Sequence, residues 1–363
     1  MTGGGFDVVI GNPPWREYAA VKGEYCVQNY SSEPCGNLHG ICTERALGLR
    51  SGDGRLSFIV QLPLANSSRM STVRSLLRDN CDQLHVIPFD DRPGRLFDGL
   101  EHCRAVIFLA ACRKRAAEPV VATTRYQRWP TGARGSLFET LEMVPRAGGL
   151  IQTGHFEKVG SPLVLSTFKK VAAVNHATVA TLLSRREERY FIFYQEATQY
   201  WVKATIGLPH YSKNGTIGAP PHGRYLYFRE ARDTHVVCAV LHSSLFYNYF
   251  IAYGDCFHLS DKLVSTFPMP ESVRRDDRLV SLGVRLMTDL MRNAENKTIN
   301  TSTGDRITYA EFYASRSKSI IDAIDVALAR HYGFTDEELD FIVNYDIKYP
   351  MGRDAENTDG DGQ

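Results

Sequence analysis

Over the first 112 residues, short apolar runs alternate with polar turns, and then the texture changes. Residues 6–10, FDVVI, are rich in β-branched side chains and stop at Gly11-Asn12-Pro13-Pro14, which cannot continue a central strand. The run reads as a fully buried strand of the parallel-sheet type with a loop at its carboxyl end. In open α/β sheets, that end is where ligands bind. Residues 16–38 are polar and read as a loop. Residues 39–49 read as a helix, followed by a turn at Ser51-Gly52-Asp53-Gly54. RLSFIVQL (55–62), LHVIPF (84–89) and AVIFLAAC (105–112) read as further strands. Residues 68–79 form an amphipathic helix with Val73, Leu76 and Leu77 on one face. The succession describes half of a doubly wound α/β sheet. A complete Rossmann-like enzyme needs more strands, and these would have to precede residue 6.

Beyond about residue 115 the pattern is less regular. Residues 116–150 alternate short β-like pieces with Gly and Pro, and 160–182 look helical. Residues 190–232 are rich in Tyr, Phe and Gly around the loop PHYSKNGTIGAPPHG. HVVCAVLHSSLFYNYFIAYG (235–254) reads as one apolar helix whose aromatic stripe, Phe246, Tyr247, Tyr249 and Phe250, belongs to the core. Residues 277–294 and 309–331 read as amphipathic helices. The expected divisions are a catalytic domain at 1–115, a connector at 116–150, an α+β domain at 151–270, a helical segment at 271–350 and a disordered acidic tail at 351–363.

Composition adds limits. The 363 residues are 43% hydrophobic and 23% charged, ordinary for a soluble globular chain. No apolar run reaches the roughly 20 residues of a membrane span, and no signal peptide is visible, so the expected compartment is the cytoplasm, with no membrane partner. A net charge of +1 leaves a nucleic-acid partner open, because a local basic groove can sum to zero. Eight cysteines are irregularly spaced without a CxxC pair, so scattered free thiols are expected and no metal site.

The chemistry centres on Asn12-Pro13-Pro14-Trp15. Asn12 offers a side-chain carbonyl oxygen, and Pro13 a backbone carbonyl with no N–H beside it. The two prolines fix the backbone between them. Trp15 adds a flat aromatic face. Two acceptors next to a π-face suit a planar heterocycle carrying an NH2 group. A base inside a duplex would have to be flipped out to reach such a pocket.

This string resembles the Asp/Asn/Ser-Pro-Pro-aromatic motif of amino methyltransferases, and FDVVIG before it and GRLSFIVQLPLANS after it resemble the family's flanking strands. Three further stretches, FDDRPGRLFDGLEHCRAVIFLA (89–110), LHSSLFYNYFIAYGDCFHLSDKLVSTFPMP (241–270) and HYGFTDEELDFIVNYDIKYPMG (331–352), are similar to adenine-N6 DNA methyltransferases of the type IIG restriction–modification and phage-exclusion group. The resemblance implies transfer of a methyl group from S-adenosylmethionine to adenine in double-stranded DNA. It implies catalytic roles for Asn12, Pro13, Pro14 and Trp15, and a target-recognition domain at 151–270. It also exposes a gap. The family's F-x-G-x-G cofactor turn is not found. Gly3-Gly4-Gly5 has no strand before it and looks like a linker. The cofactor site would then lie in a missing N-terminal region or a second chain. The alternative is a DNA-binding specificity module or fragment without activity of its own. A protein-glutamine methyltransferase is disfavoured by Trp15 and the long C-terminal half.

Candidate DNA contacts are weaker signals. Arg92, Arg95 and Phe97 lie in the loop after the third strand, which in this fold borders the base pocket. Lys203, His210, Tyr211, Lys213, Arg224 and Tyr227 mix basic and aromatic residues along a Gly-rich stretch, which suits phosphate contacts and base-edge readout. Residues 151–270 carry about four more Lys and Arg than Asp and Glu, the sign DNA favours. The acidic pairs Asp90-Asp91 and Glu337-Glu338 lack a companion Glu-x-Lys, so no nuclease site is expected.

Overall fold

The computed structural model describes residues 4–99, 103–112, 119–147, 150–151, 154–174, 177–198 and 201–345. It is a mixed α/β fold whose chain divides into two compact units between Ser166 and Thr167.

The first unit is built on a six-stranded sheet of order β1-β2-β4-β3-β5-β6. The strands are β1 (Phe6–Gly11), β2 (Arg50–Gln61), β3 (Gln83–Phe89), β4 (Ala105–Ala111), β5 (Val120–Thr123) and β6 (Val144–Ala147). β1 runs parallel to β2, and β4 lies antiparallel between β2 and β3. β1, β2 and β3 therefore point the same way, and their carboxyl ends share one edge. Helices α1 (Leu38–Leu49), α2 (Pro63–Asn66) and α3 (Ser71–Asn80) connect the strands. Asn37 starts α1 by accepting a hydrogen bond from the His39 N–H at 3.2 Å, an N-cap. α3 buries Val73 and Leu77 together with Arg74. The Arg74 guanidinium donates to the carbonyls of Gly154, Leu64 and Ser67 at 2.6, 3.0 and 2.8 Å. Burial lowers its pKa to about 10.

Three expectations are corrected in this unit. β1 is not buried: Phe6, Val8 and Ile10 are 62%, 59% and 77% exposed, because among the described residues β1 pairs with β2 alone, at the edge of the sheet. Ser51–Gly54 is not a free turn. It lies within β2, because Phe6 pairs with Arg50 while Val8 pairs with Arg55, and the extra residues bulge between. Cys81 and Cys112, beside the adjacent ends of β3 and β4, are joined by a disulfide rather than being free thiols.

The second unit holds two small sheets and a helical core. The three-stranded sheet has order β11-β7-β8, from β7 (Tyr190–Gln195), β8 (Ala204–Ile206) and β11 (Gly223–Phe228). The four-stranded sheet has order β10-β9-β13-β12, from β9 (Tyr211–Lys213), β10 (Thr216–Ile217), β12 (Glu295–Asn300) and β13 (Arg306–Glu311). The helices are α4 (Pro162–Ala172), inside which the division falls, α5 (Ala231–His242), α6 (Ser244–Tyr253), α7 (Asp261–Ser265), α8 (Glu271–Arg274), α9 (Asp277–Arg292), α10 (Lys318–Tyr332) and α11 (Asp336–Val343). α4 stops at Ala172, short of the helix expected to 182.

The helix expected over 235–254 is two helices bent by 65° at Ser243. The Ser243 hydroxyl accepts from the Phe246 N–H at 3.0 Å. The Asp325 carboxylate of α10 accepts from the Ser244 and Leu245 N–H groups at 3.2 and 3.3 Å. The aromatic stripe of α6 is buried, as expected. Among the described residues no single helix is long and apolar enough to cross a membrane; the bent pair passes by composition, and its side chains are almost wholly buried. The helix expected from 309 begins at Lys318, because 306–311 form a strand paired with both β12 and β9. The tail expected at 351–363 lies outside the described residues.

Candidate active site

The site assembles where the carboxyl ends of β1, β2 and β3 meet. β1 delivers Asn12-Pro13-Pro14-Trp15. Asn12 and Pro14 are exposed, Pro13 is buried and Trp15 is half-buried. The Trp15 indole Nε1 donates to the Ile59 carbonyl of β2 at 3.2 Å, which fixes the ring against the neighbouring strand. Phe97, from the loop after β3, meets Trp15 edge-to-face with centroids 5.9 Å apart.

Both aromatics are held from behind. After Trp15 the chain closes a neck in which Leu38 N–H donates to Arg16 O at 2.9 Å and Tyr18 N–H to Gly36 O at 2.8 Å. The Asn37 amide donates to Gln61 Oε1 at 3.1 Å and to Glu17 Oε1 at 3.4 Å. Glu17 pairs with Arg69 at 2.6 Å, and that bond holds its carboxyl below the usual range. His39 beside them is buried, and burial lowers its imidazole to about 4, so it is neutral at pH 7.

The loop carrying Arg92, Arg95 and Phe97 is pinned at three points. Its first residue, Asp90, is buried against Arg104 at 3.2 Å and Arg128 at 3.0 Å. Burial pushes the Asp90 carboxyl up, while the two guanidiniums oppose the shift. Asp91 feels burial in the same sense, but the Asp90 hydrogen bond and the Arg104 charge outweigh it and bring it down. Gly94 then passes so close to Trp129 that a Cβ would sit 2.6 Å from its ring, and its N–H donates to Trp129 O at 2.8 Å. Finally, Arg134 donates to Leu96 O at 2.5 Å and pairs with Asp98 at 3.2 Å. Arg92 and Arg95 are both half-buried within this loop.

The structure thus brings Trp15 and Phe97 into contact and puts the loop with Arg92 and Arg95 at the same sheet edge. The other basic candidates belong to the second unit. Arg224 is on β11 of its three-stranded sheet, and Lys203 directly precedes β8, where Gln195 N–H donates to Lys203 O at 3.0 Å. Arg224 is paired with Glu196 at 3.1 Å and lies 3.7 Å from Asp261. Lys213 is on β9 of the other sheet, paired with Asp305 at 2.7 Å. Reading the sequence alone missed Glu17, Asn37, Gln61, Arg104 and Arg128. The usable signals were Asn37 directly before an apolar helix and a polar Gln at the end of an apolar strand.

Residues 1–94 match the family model of the Eco57I restriction-modification methylase, a stretch that covers β1 to β3 and the start of the pinned loop. That match supports a restriction–modification methyltransferase. No curated protein matches the chain. Solved structures similar in fold include the type IIL restriction–modification enzyme MmeI in complex with DNA, at 10% identity and a TM-score of 0.47, with 93% of this chain and 56% of that one covered. A nuclease-deletion mutant of the type ISP enzyme LlaGI with a DNA substrate mimic gives 10% identity and a TM-score of 0.41 over 81% of this chain and 36% of that one. A class I S-adenosylmethionine-dependent methyltransferase from Listeria monocytogenes gives 18% identity and a TM-score of 0.24 over 33% of this chain and 35% of that one. The chain spans about a third of the length of the latter two proteins.

Proposed function

We propose that this chain is the catalytic and DNA-recognition part of a restriction–modification methyltransferase that methylates the N6 amino group of adenine from S-adenosylmethionine. The observation that carries the reading is the Asn-Pro-Pro-Trp corner at the carboxyl end of a parallel strand, with Trp15 tied to β2 and braced by Phe97. The Asn12 side-chain oxygen and the Pro13 carbonyl accept the two N–H bonds of the adenine amine. This draws the amine away from conjugation with the ring and leaves its lone pair available for attack. Trp15 offers its face to the flipped base. Residues 151–270 act as the target-recognition region, with Lys203, Lys213 and Arg224 as candidate contacts and Arg92 and Arg95 nearer the base. The Eco57I match over the corner supports this reading.

The described glycines before β1 do not form a cofactor turn for S-adenosylmethionine: a Cβ on Gly5 would come within 2.3 Å of the Arg50 backbone, so that glycine serves packing against β2, and Gly4 faces open space. That same observation favours a second reading, a DNA-binding specificity module without activity of its own. Two measurements separate them. Asn12→Ala should reduce methyl transfer to duplex adenine in the methylation-competent enzyme by roughly 10²–10³-fold while leaving DNA binding largely intact, and near-normal turnover refutes the assignment. Calorimetric titration of S-adenosylmethionine into this chain should show no binding. Micromolar binding would mean that the chain holds a complete cofactor site.

A further inference from the structure

The hydrogen bonds behind the corner decide which way one amide points. The Asn37 Oδ1 is committed to the start of α1, where it accepts from the His39 N–H at 3.2 Å. The other terminal atom of Asn37 is then the amide nitrogen, a donor. It faces two oxygens, Gln61 Oε1 at 3.1 Å and Glu17 Oε1 at 3.4 Å. The Glu17 carboxylate, paired with Arg69, only accepts, so it fixes the same orientation from a second side. Asn37 is buried, and turning its amide round would set oxygen against oxygen without water between them. Gln61 is thereby oriented as well. Its Oε1 points inward to Asn37, and its Nε2, with two N–H donors, points the other way. Among the described residues that nitrogen has no hydrogen-bond acceptor.

The strands put this donor beside the corner. Gln61 is the last residue of β2, two beyond Ile59, whose carbonyl holds the Trp15 ring. Along β2, Leu56, Phe58 and Val60 are buried on one face, while Ser57, Ile59 and Gln61 are half-buried on the other. Ile10 of β1 pairs with Ser57 and so lies on that second face. The alternation of β1 runs on past its end, with Ile10 exposed, Gly11 half-buried, Asn12 exposed and Pro13 buried. Asn12 and Gln61 thus stand at adjoining strand ends on one face of the sheet. One offers an oxygen that accepts, and the other offers N–H groups that donate.

Resting on the proposed function, we infer that Gln61 reads the target base: its Nε2 donates to N1 of the flipped adenine while Asn12 and the Pro13 carbonyl accept from the N6 amine. The Watson–Crick edge of adenine carries an NH2 group next to a ring nitrogen that accepts, and an acceptor beside a donor matches it. Guanine and thymine carry a carbonyl oxygen next to a ring N–H. They would meet the Asn12 oxygen with oxygen and the Gln61 N–H with hydrogen, leaving both protein groups unpaired. Asn37 does not touch the base in this arrangement. It is a positioning residue that acts through Gln61.

The test measures kcat/KM for methyl transfer by the methylation-competent enzyme on duplexes with adenine or 1-deazaadenine at the methylated position. The analogue has C–H in place of N1. Its own change in reactivity is common to all variants and cancels when the adenine-to-analogue ratio is compared between enzymes. That ratio should be roughly tenfold larger in the wild type than in Gln61→Leu, the effect of one lost hydrogen bond. Gln61→Glu keeps the side-chain shape and the bond from Asn37, and it should lower the ratio at least as far even if the leucine variant folds poorly. Asn37→Asp is the sharper variant. A carboxylate caps α1 as well as an amide does, but it offers Gln61 an oxygen and so turns the Gln61 amide round. The ratio should then fall towards that of Gln61→Leu with Gln61 still in place. A purely structural Gln61 would slow both substrates alike, so a wild-type ratio in the Gln61 variants or in Asn37→Asp overturns the inference. If the wild type methylates adenine and the ratios are equal, the role of Gln61 falls and the proposed function stands. If the wild type transfers no methyl group to adenine, the proposed function falls and takes this role with it.

Discussion

The corner at the end of β1 and the strands bearing Lys213 and Arg224 hold their polar groups in opposite ways. At the corner the structure engages the supports and leaves the proposed amine acceptor exposed. Trp15 is tied to Ile59, Asn37 to Gln61 and Glu17 to Arg69, while Asn12 is exposed. On the strands the candidate side chains themselves are engaged, Lys213 by Asp305 and Arg224 by Glu196, and these bonds raise both pKa values. A short motif with a proline-fixed backbone carries its geometry with it. A basic residue does not, because what it offers a phosphate depends on an acid that may lie far off in sequence.

The largest expected effect tests the corner directly. Asn12→Ala should reduce adenine methylation roughly 10²–10³-fold, the cost of losing one preorganised polar partner of the transition state. DNA affinity, read by fluorescence anisotropy, should hardly move. Equal losses in both would move Asn12 from chemistry to general binding and erase the contrast with Arg224.

Next comes the support behind Phe97. Asp90→Ala leaves Arg104 and Arg128 without their shared buried partner. Breaking such a pair from one side costs on the order of 3 kcal/mol. Urea denaturation should show that loss. A change within experimental error would mean that the loop is held by Gly94 and Arg134 without it.

The corner was legible because its information is local. The β2, β3 and β4 runs, the helices before β2 and β3, and the Pro-Pro stop all depend on neighbours within a few residues. What escaped depends on distant ones. The exposure of β1 follows from its having, among the described residues, one sheet neighbour, which no periodicity reveals. β12 reads Glu-Asn-Lys-Thr-Ile-Asn, with little apolar alternation, and its sheet is completed by β9, more than 80 residues earlier. The break at Ser243 is likewise fixed from a distance, by Asp325, which accepts from the Ser244 N–H 81 residues before it. The acids that neutralise Lys213 and Arg224 belong to the same class of hidden determinant.

Asp325 also gives a pH test of such long-range fixing. Its carboxyl is fully buried, and burial raises it from 3.8 to about 7, despite the hydrogen bonds it accepts from Ser244 and Leu245. The native state therefore keeps a proton that the unfolded chain releases. The resulting stability is fully present below about pH 4 and is lost as pH rises through 7. In urea titrations across that window the wild type should lose stability relative to Asp325→Asn, which has no proton to release. Parallel pH profiles for the two proteins would show that Asp325 is ionised in the folded state throughout.

The smallest effect bears most closely on the comparison. If Arg224 contacts a DNA phosphate, it must first leave Glu196, an exposed pairing of the kind worth roughly 0.2–1 kcal/mol. Glu196→Gln should then strengthen DNA binding by up to about fivefold and steepen its salt dependence, because a freed guanidinium releases one more counterion. Arg224→Gln should act in the opposite direction, lowering affinity and flattening the slope. If both variants bind DNA as the wild type does, Arg224 serves the sheet rather than the DNA. The recognition surface must then be sought among side chains whose charge the fold has not already answered.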